Sequence, residues 1–247
     1  MPVADDRPQA RFRLVVVPGV TVASWGRTWS ERLPAVDLEV VPAEAGQAAA
    51  LLAGGADAGL IRLPVGQETF HAIPLYTEVS VVVVQRDHFF AAADEVTVAD
   101  LLDETLVRPL DDVLVWTDAS AAPAFMAADR PDTTAAAVEL VAAGAGVLVV
   151  PQSLARLHHR RDLTYRAVTD APTSSVGLAW VRDRHTGLVE EMIGVVRGRT
   201  ANSTRGRVQT PAPPAKPSTT RRTPTPGQPG ERRGGVTPTR SPRRRGR

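Results

Sequence analysis

Polar and apolar positions first alternate and then fuse between residues 11 and 18, where Arg-Phe-Arg-Leu-Val-Val-Val-Pro runs into a wholly apolar stretch. A strand entering a buried parallel sheet has this pattern, because both of its faces end up covered. After Pro18-Gly19, the residues Trp25, Trp29 and Leu33 recur at four-residue steps. That spacing predicts a helix over residues 21–33, with Thr21 placed to cap it. The alternation then returns as a strand at 36–41, a short alanine-rich helix at 46–52, and a strand at 58–63 following Gly54-Gly55. Strands and helices in such alternation imply a parallel sheet covered by helices.

Farther along, residues 73–76 and 79–85 read as a strand or strand pair, followed by polar Arg86-Asp87-His88 and a helix at 98–102 that Thr97 is placed to cap. The signal weakens over residues 106–131, where a strand at 113–116 precedes a loop rich in Ala, Pro and Asp. Helical spacing resumes over 133–142 through Val138 and Val141, is broken by Gly144 and Gly146, and gives way to an apolar strand at 147–150. A helix at 152–158, strands at 164–168 and 176–181, and a helix at 188–196 complete the body.

Composition changes the picture mainly at the end of the chain. Residues 200–247 hold nine prolines, 12 Lys+Arg and 1 Asp+Glu, leaving 17 basic and 26 acidic residues in the first 199. An acidic body of net −9 therefore precedes a basic tail of net +11. The tail has too little apolar surface to offset the entropy of ordering it and is expected to be disordered. With 43% apolar residues in 247, the body is large enough for one substantial core or two small ones. The chain has no cysteine, which excludes disulfides, thiolate metal sites and cysteine nucleophiles. Residues 1–8 are polar and acidic, unlike a secretory signal, and the apolar runs at 79–84 and 147–150 fall far short of the roughly 20 residues that span a bilayer. The expected location is the cytoplasm.

Several segments, taken in order, resemble the effector-binding domain of LysR-type transcriptional regulators. Leu51-Leu52-Ala53-Gly54-Gly55-Ala56-Asp57-Ala58-Gly59-Leu60 is similar to that family's "Leu, small, Gly, x, x, Asp, x, x, Leu" passage from helix to strand. Pro74-Leu75-Tyr76-Thr77-Glu78 and the apolar run at 79–84 resemble its crossover segment. Asp87-His88 and Val96-Thr97-Val98-Ala99-Asp100-Leu101 resemble the stretch leading into the second subdomain. The run from Glu139 through Gly144, Gly146 and the valines to Pro151 resembles the family's helix, double glycine, strand and proline. The resemblance covers about residues 12–197 and implies a type 2 periplasmic-binding-protein-like fold, an α/β architecture of two Rossmann-like lobes joined by crossover strands. It implies a flexible N-terminus at 1–10, a substrate-binding domain at 11–199 and the disordered tail at 200–247. Lobe I would span about 11–76 and 177–199, and lobe II about 80–176. Two departures stand out. The family's winged helix-turn-helix needs a longer stretch ahead of this domain than the ten or so residues present, so the usual DNA-binding domain is expected to be absent. Residues 106–132 look short for the second subdomain, which bears on its share of a ligand pocket.

Ligands of such folds sit beyond the carboxyl ends of the strands. Residues 18–24 join the first strand to its helix, where free N–H groups and the helix dipole favour a carboxylate or similar anion. Thr21 and Ser24 add hydroxyl donors there, and Thr21 has the equally open reading of a simple helix cap. Arg62, at the end of the third strand, is either a solvated strand-end arginine or a fork for an anionic effector. Thr77 and Glu78 lie at the crossover, and Thr133 and Thr134 begin a helix facing the cleft from the second lobe; each is a candidate by location alone. Trp25 and Trp29 share one helix face, which suits a core or dimer-contact stripe better than an aromatic cage. Asp111-Asp112 reads as a turn rather than a metal site, and His158-His159-Arg160-Arg161 as a helix terminus where the dipole favours cations. No nucleophile elbow or phosphate loop is present: Gly144 and Gly146 precede a strand, and Ser24 and Ser153 lack a glycine elbow. No catalytic residue, cofactor or metal is expected.

Arg-Gly-Arg occurs at 197–199, 205–207 and 245–247, never followed by the proline of AT-hook-like motifs. Arg205, Arg207, Arg243, Arg244, Arg245 and Arg247 are candidates for non-specific nucleic-acid contact by counterion release and minor-groove insertion. The competing readings are a solubilising tail or one that folds back on the acidic body. The leading expectation is a small-molecule effector-binding protein with a role in transcriptional regulation, acting as a homodimer and either touching nucleic acid through its tail or working through a partner. Two alternatives are a stand-alone small-molecule-binding or protein-interaction module and an enzyme on the same fold. The lack of catalytic groups disfavours the enzyme.

Overall fold

The computed structural model describes residues 10–116 and 130–198. In chain order the elements are β1 (Ala10–Val16), α1 (Ala23–Arg32), β2 (Val36–Pro42), α2 (Ala45–Ala53), β3 (Ala58–Leu63), β4 (Phe70–Glu78), β5 (Ser80–Gln85), β6 (Glu95–Val96), α3 (Thr134–Ala142), β7 (Leu148–Pro151), α4 (Gln152–Leu157), β8 (Leu163–Val168), β9 (Ser174–Val181) and α5 (Gly187–Val196). The strands form two separate sheets. One has the order β2-β1-β3-β9-β4 and the other β6-β8-β5-β7.

Burial along the strands explains why each sheet is covered on both faces. Successive side chains of a strand point to opposite faces, and the apolar runs feed two cores apiece. In β5, Val81 and Val83 enter one cluster and Val82 and Val84 another. Leu148 and Val150 of β7 join the first of these, Val149 the second. In the other sheet, Phe12, Leu14 and Val16 of β1 pack with Trp29 and the α5 residues Val189, Met192 and Ile193, while Val15 packs with Ala48 and Leu52 of α2. Each lobe is thus a sheet between helical or irregular layers. Trp29 is fully buried, lies 4.7 Å from the Phe12 ring, and its indole N–H donates to the Val36 carbonyl at 2.9 Å. Trp25 packs partly buried against the same cluster. Trp29 is therefore a core residue, and Trp25 lies on the same α1 face at the edge of that core.

The parallel pairs β1 with β2 and β1 with β3 open the first sheet, and antiparallel β9 lies between β3 and β4. The Asp57 carboxylate accepts from the Arg13 N–H at 2.7 Å, and the Asp57 N–H donates to the Arg13 carbonyl at 2.9 Å. This residue ties the turn before β3 to β1. The chain passes from the first sheet to the second at Val79, between β4 and β5, and returns through residues 169–173 between β8 and β9.

Four local expectations need correction. The first helix begins at Ala23, its cap position is Val22 with no side-chain cap bond, and Thr21 does not cap it. Gly19, at φ +85°, and a Val20 N–H bond to the Val17 carbonyl turn the chain first, which delays the helix. Residues 98–102 hold a 3₁₀ turn over Ala99–Leu101 rather than an α-helix. Thr97 donates to the Asp100 carboxylate at 2.7 Å from its hydroxyl and 2.8 Å from its N–H, which binds the turn tightly. Residues 113–116 are not a strand, because Asp112 Oδ1 takes the Leu114 N–H at 2.9 Å and so supplies the acceptor a ladder would have given. The short strand β6 was not foreseen. The tail expected to be disordered lies outside the described residues.

Candidate functional site

Arg62 sits on β3 opposite Val176 of β9, so its side chain leaves the sheet where the two crossovers meet. It forms an ion pair with Glu78, the last residue of β4, and the two side chains are only 8% and 10% exposed. The guanidinium also donates to the Ser174 hydroxyl at 2.9 Å, the Ser153 hydroxyl at 3.2 Å and the Pro18 carbonyl at 3.3 Å. Arg62 is therefore neither solvated nor free. It gathers β4, β9, the loop after β1, and α4 of the second lobe into one polar knot. Gly19 completes the contact: a Cβ added there would lie 2.4 Å from the Ser153 hydroxyl oxygen.

Beside this knot a cavity of about 240 Å³ opens between the lobes. The first lobe contributes Pro18, Glu44, Ala45 and Arg62, so the N-terminus of α2 faces it. The second lobe contributes Asp111 and Val113, then Thr133, Thr134 and Ala135 at the start of α3, and Leu154, Leu157 and His158 along α4. Two helix N-termini and one helix flank thus form the walls. The cavity is smaller than a pocket for drug-sized ligands and fits a small metabolite.

At the start of α3 the Thr134 and Ala136 N–H groups are bonded from within the chain. Thr133 caps it by accepting the Ala136 N–H at 3.2 Å. Asp111 accepts the Thr134 N–H at 3.0 Å on one oxygen and the Thr134 hydroxyl at 2.9 Å on the other. A carboxylate at a helix N-terminus is favoured by the dipole and by the unpaired N–H groups. Asp112, next along, pairs with Arg108 at 2.7 Å. Both aspartates serve the turn, and among the described residues no group of His, Asp and Glu could hold a metal.

Of the residues singled out in the sequence, Arg62, Thr133 and Thr134 line this cavity. Thr21, Ser24 and Thr77 do not. Thr21 and Ser24 are exposed ahead of and within the first turn of α1, and the Thr77 hydroxyl bonds to that of Ser175 at 2.9 Å across β4 and β9. Glu44, Asp111, Ser153 and Leu154 were not anticipated as wall or hinge residues. Glu44 had a usable signal, since it stands between a strand and a helix at the strand's carboxyl end. Asp111 had none, because its partner lies 23 residues away. No helix among the described residues is long and apolar enough to cross a membrane.

The fold recurs in solved structures. The effector-binding domain of a BenM variant superposes with a TM-score of 0.65 at 20% identity, over 76% of this chain and 94% of that one. The oxidised form of OxyR gives 0.62 at 22% identity, over 77% and 96%. The BenM effector-binding domain with its effector benzoate gives 0.62 at 20% identity, over 79% and 96%. No curated protein sequence matches the chain. The family model for the LysR substrate binding domain matches residues 5–201, so the chain belongs to that family and carries its two-lobed, type 2 periplasmic-binding-protein-like fold.

Proposed function

We propose that the chain is the effector-sensing part of a LysR-type transcriptional regulator and that the interlobe cavity is its effector site. The supporting observation is a cavity walled by α2 of one lobe and by α3 and α4 of the other, beside the Arg62 knot. A molecule held there touches both lobes, so its binding depends on the angle between them and biases that angle in return. Arg62, Thr133 and Thr134 belong to the proposed site. The protein is proposed to act in the cytoplasm, without catalysis, as a homodimer. The edge position of β2, flanked by α1, suits the dimer contact. The tail arginines are proposed to contact nucleic acid.

The test is thermal unfolding of the full chain against a metabolite panel, beside an Ala135→Trp variant whose indole fills the cavity. A ligand at 100 times its Kd stabilises the native state by about 2.7 kcal/mol, a shift of several degrees. The reading expects at least one such shift, lost in Ala135→Trp. A full panel without any shift defeats it.

A further inference from the structure

We infer that the cavity between the lobes selects a small organic cation, an amine or amidine on an apolar body, and turns away carboxylates. This rests on the cavity being the effector site. The cation that an anionic ligand would need is already committed: Arg62 is paired with Glu78, and its terminal nitrogens donate to Ser174, Ser153 and Pro18. Of the two helix N-termini at the wall, that of α3 is also taken, and that of α2 carries the Glu44 carboxylate at its cap position. Asp111 holds the start of α3 with both of its oxygens, in the place an incoming carboxylate would occupy.

The remaining charge is negative. Glu44 and Asp111 stand on opposite lobes at the cavity wall, and among the described residues the Glu44 carboxylate has no hydrogen-bond or ion-pair partner. Counting Glu44, Asp111 and Glu78 against Arg62 leaves a formal charge of −2, and protonating His158 still leaves −1. Each carboxylate oxygen accepts more than one hydrogen bond, so Asp111 retains acceptor capacity after binding Thr134. An ammonium group between Asp111 and Glu44 would meet acceptors from both lobes. Its body would lie on Leu154, Leu157, Val113 and Pro18, an apolar floor suited to a hydrocarbon or aromatic portion.

The experiment compares matched pairs differing only in charge, benzylamine with benzoate and phenethylamine with phenylacetate, by calorimetric titration of the full chain at low salt. Ala135→Trp serves as the blocked control and Glu44→Gln as the charge probe. Glu44 is exposed, so its substitution leaves folding intact. The inference expects the amines to bind at least tenfold tighter than their partner acids. Glu44→Gln should weaken amine binding several-fold, and Ala135→Trp should abolish it. If an acid binds as tightly as its amine, and Ala135→Trp removes that binding, the effector site stands and the charge preference is overturned. If neither amine binds, the inference is overturned whatever the acids do, and the metabolite panel alone then decides the fate of the site.

Discussion

Arg62 and Glu78 form an ion pair buried at the point where the chain leaves one sheet for the other. Stripping water from both charges is costly, and the pair persists because Ser174, Ser153 and the Pro18 carbonyl share the guanidinium. Removing one partner leaves a buried charge uncompensated. Glu78→Gln should therefore cost about 3–5 kcal/mol in urea unfolding, whereas the double change Arg62→Met with Glu78→Met should recover most of that loss. A Glu78→Gln protein as stable as wild type would show the pair to be immaterial.

Gly19 meets Ser153 across the lobes at a distance that leaves no room for a side chain. Gly19→Ala brings both a steric clash and a left-handed backbone, whose penalty alone is about 1–2 kcal/mol. Adding Ser153→Ala should return only the clash component. Chemical denaturation of the single and double variants separates the two costs, and full rescue by the double variant would contradict the backbone contribution.

Thr134 is buried, and Asp111 supplies the acceptors for both its N–H and its hydroxyl. Asp111→Ala should destabilise the second lobe by about 1–3 kcal/mol through unpaired donors. Faster amide exchange at the start of α3 than in β1 would localise the effect, and uniform exchange would refute it.

The Asp100 carboxyl is held below the usual aspartate range, first by the Thr97 hydroxyl and then by the Thr97 N–H. A depressed folded-state pKa gives stabilisation that is present above the unfolded value and is lost as pH falls through the folded one. Loss should therefore begin below about pH 4 and continue to lower pH. In a carbon-detected NMR titration, Thr97→Ala should move the Asp100 midpoint upward; an unchanged midpoint would remove the hydroxyl as its cause.

If the tail contacts nucleic acid, replacing Arg205, Arg207, Arg243, Arg244, Arg245 and Arg247 with Gln in the full chain should weaken retardation of a generic duplex at least tenfold. The residual salt dependence should also flatten, because fewer counterions are released. Equal retardation of both proteins rules out a role for these arginines.

Periodicity made the scaffold legible where burial is two-sided. The valines of β5 and the apolar end of β1 announced strands because their successive side chains fill cores on opposite faces. Trp29 was placed correctly for the same reason, its face of α1 being set by four-residue spacing. Local hydrogen bonding escaped this reasoning. Asp112 bonding to Leu114 prevented the strand expected at 113–116, and Thr97 bonding to Asp100 tightened a helix into a 3₁₀ turn. The candidate site was half legible: Thr133 and Thr134 were findable at the start of an obvious helix. That Arg62 is already occupied depends on partners 16, 91 and 112 residues away, which no local pattern encodes.

Val79 alone separates β4 from β5, and it is exposed. Each lobe keeps its own pair of cores, so torsions at this residue can change without disturbing either interior, whereas the 169–173 return is anchored in the second lobe by buried Ala171. A shift at Val79 would thereby register at the Arg62 knot through neighbouring Glu78 without any strand having to melt, making the molecule a lever whose fulcrum is an exposed residue.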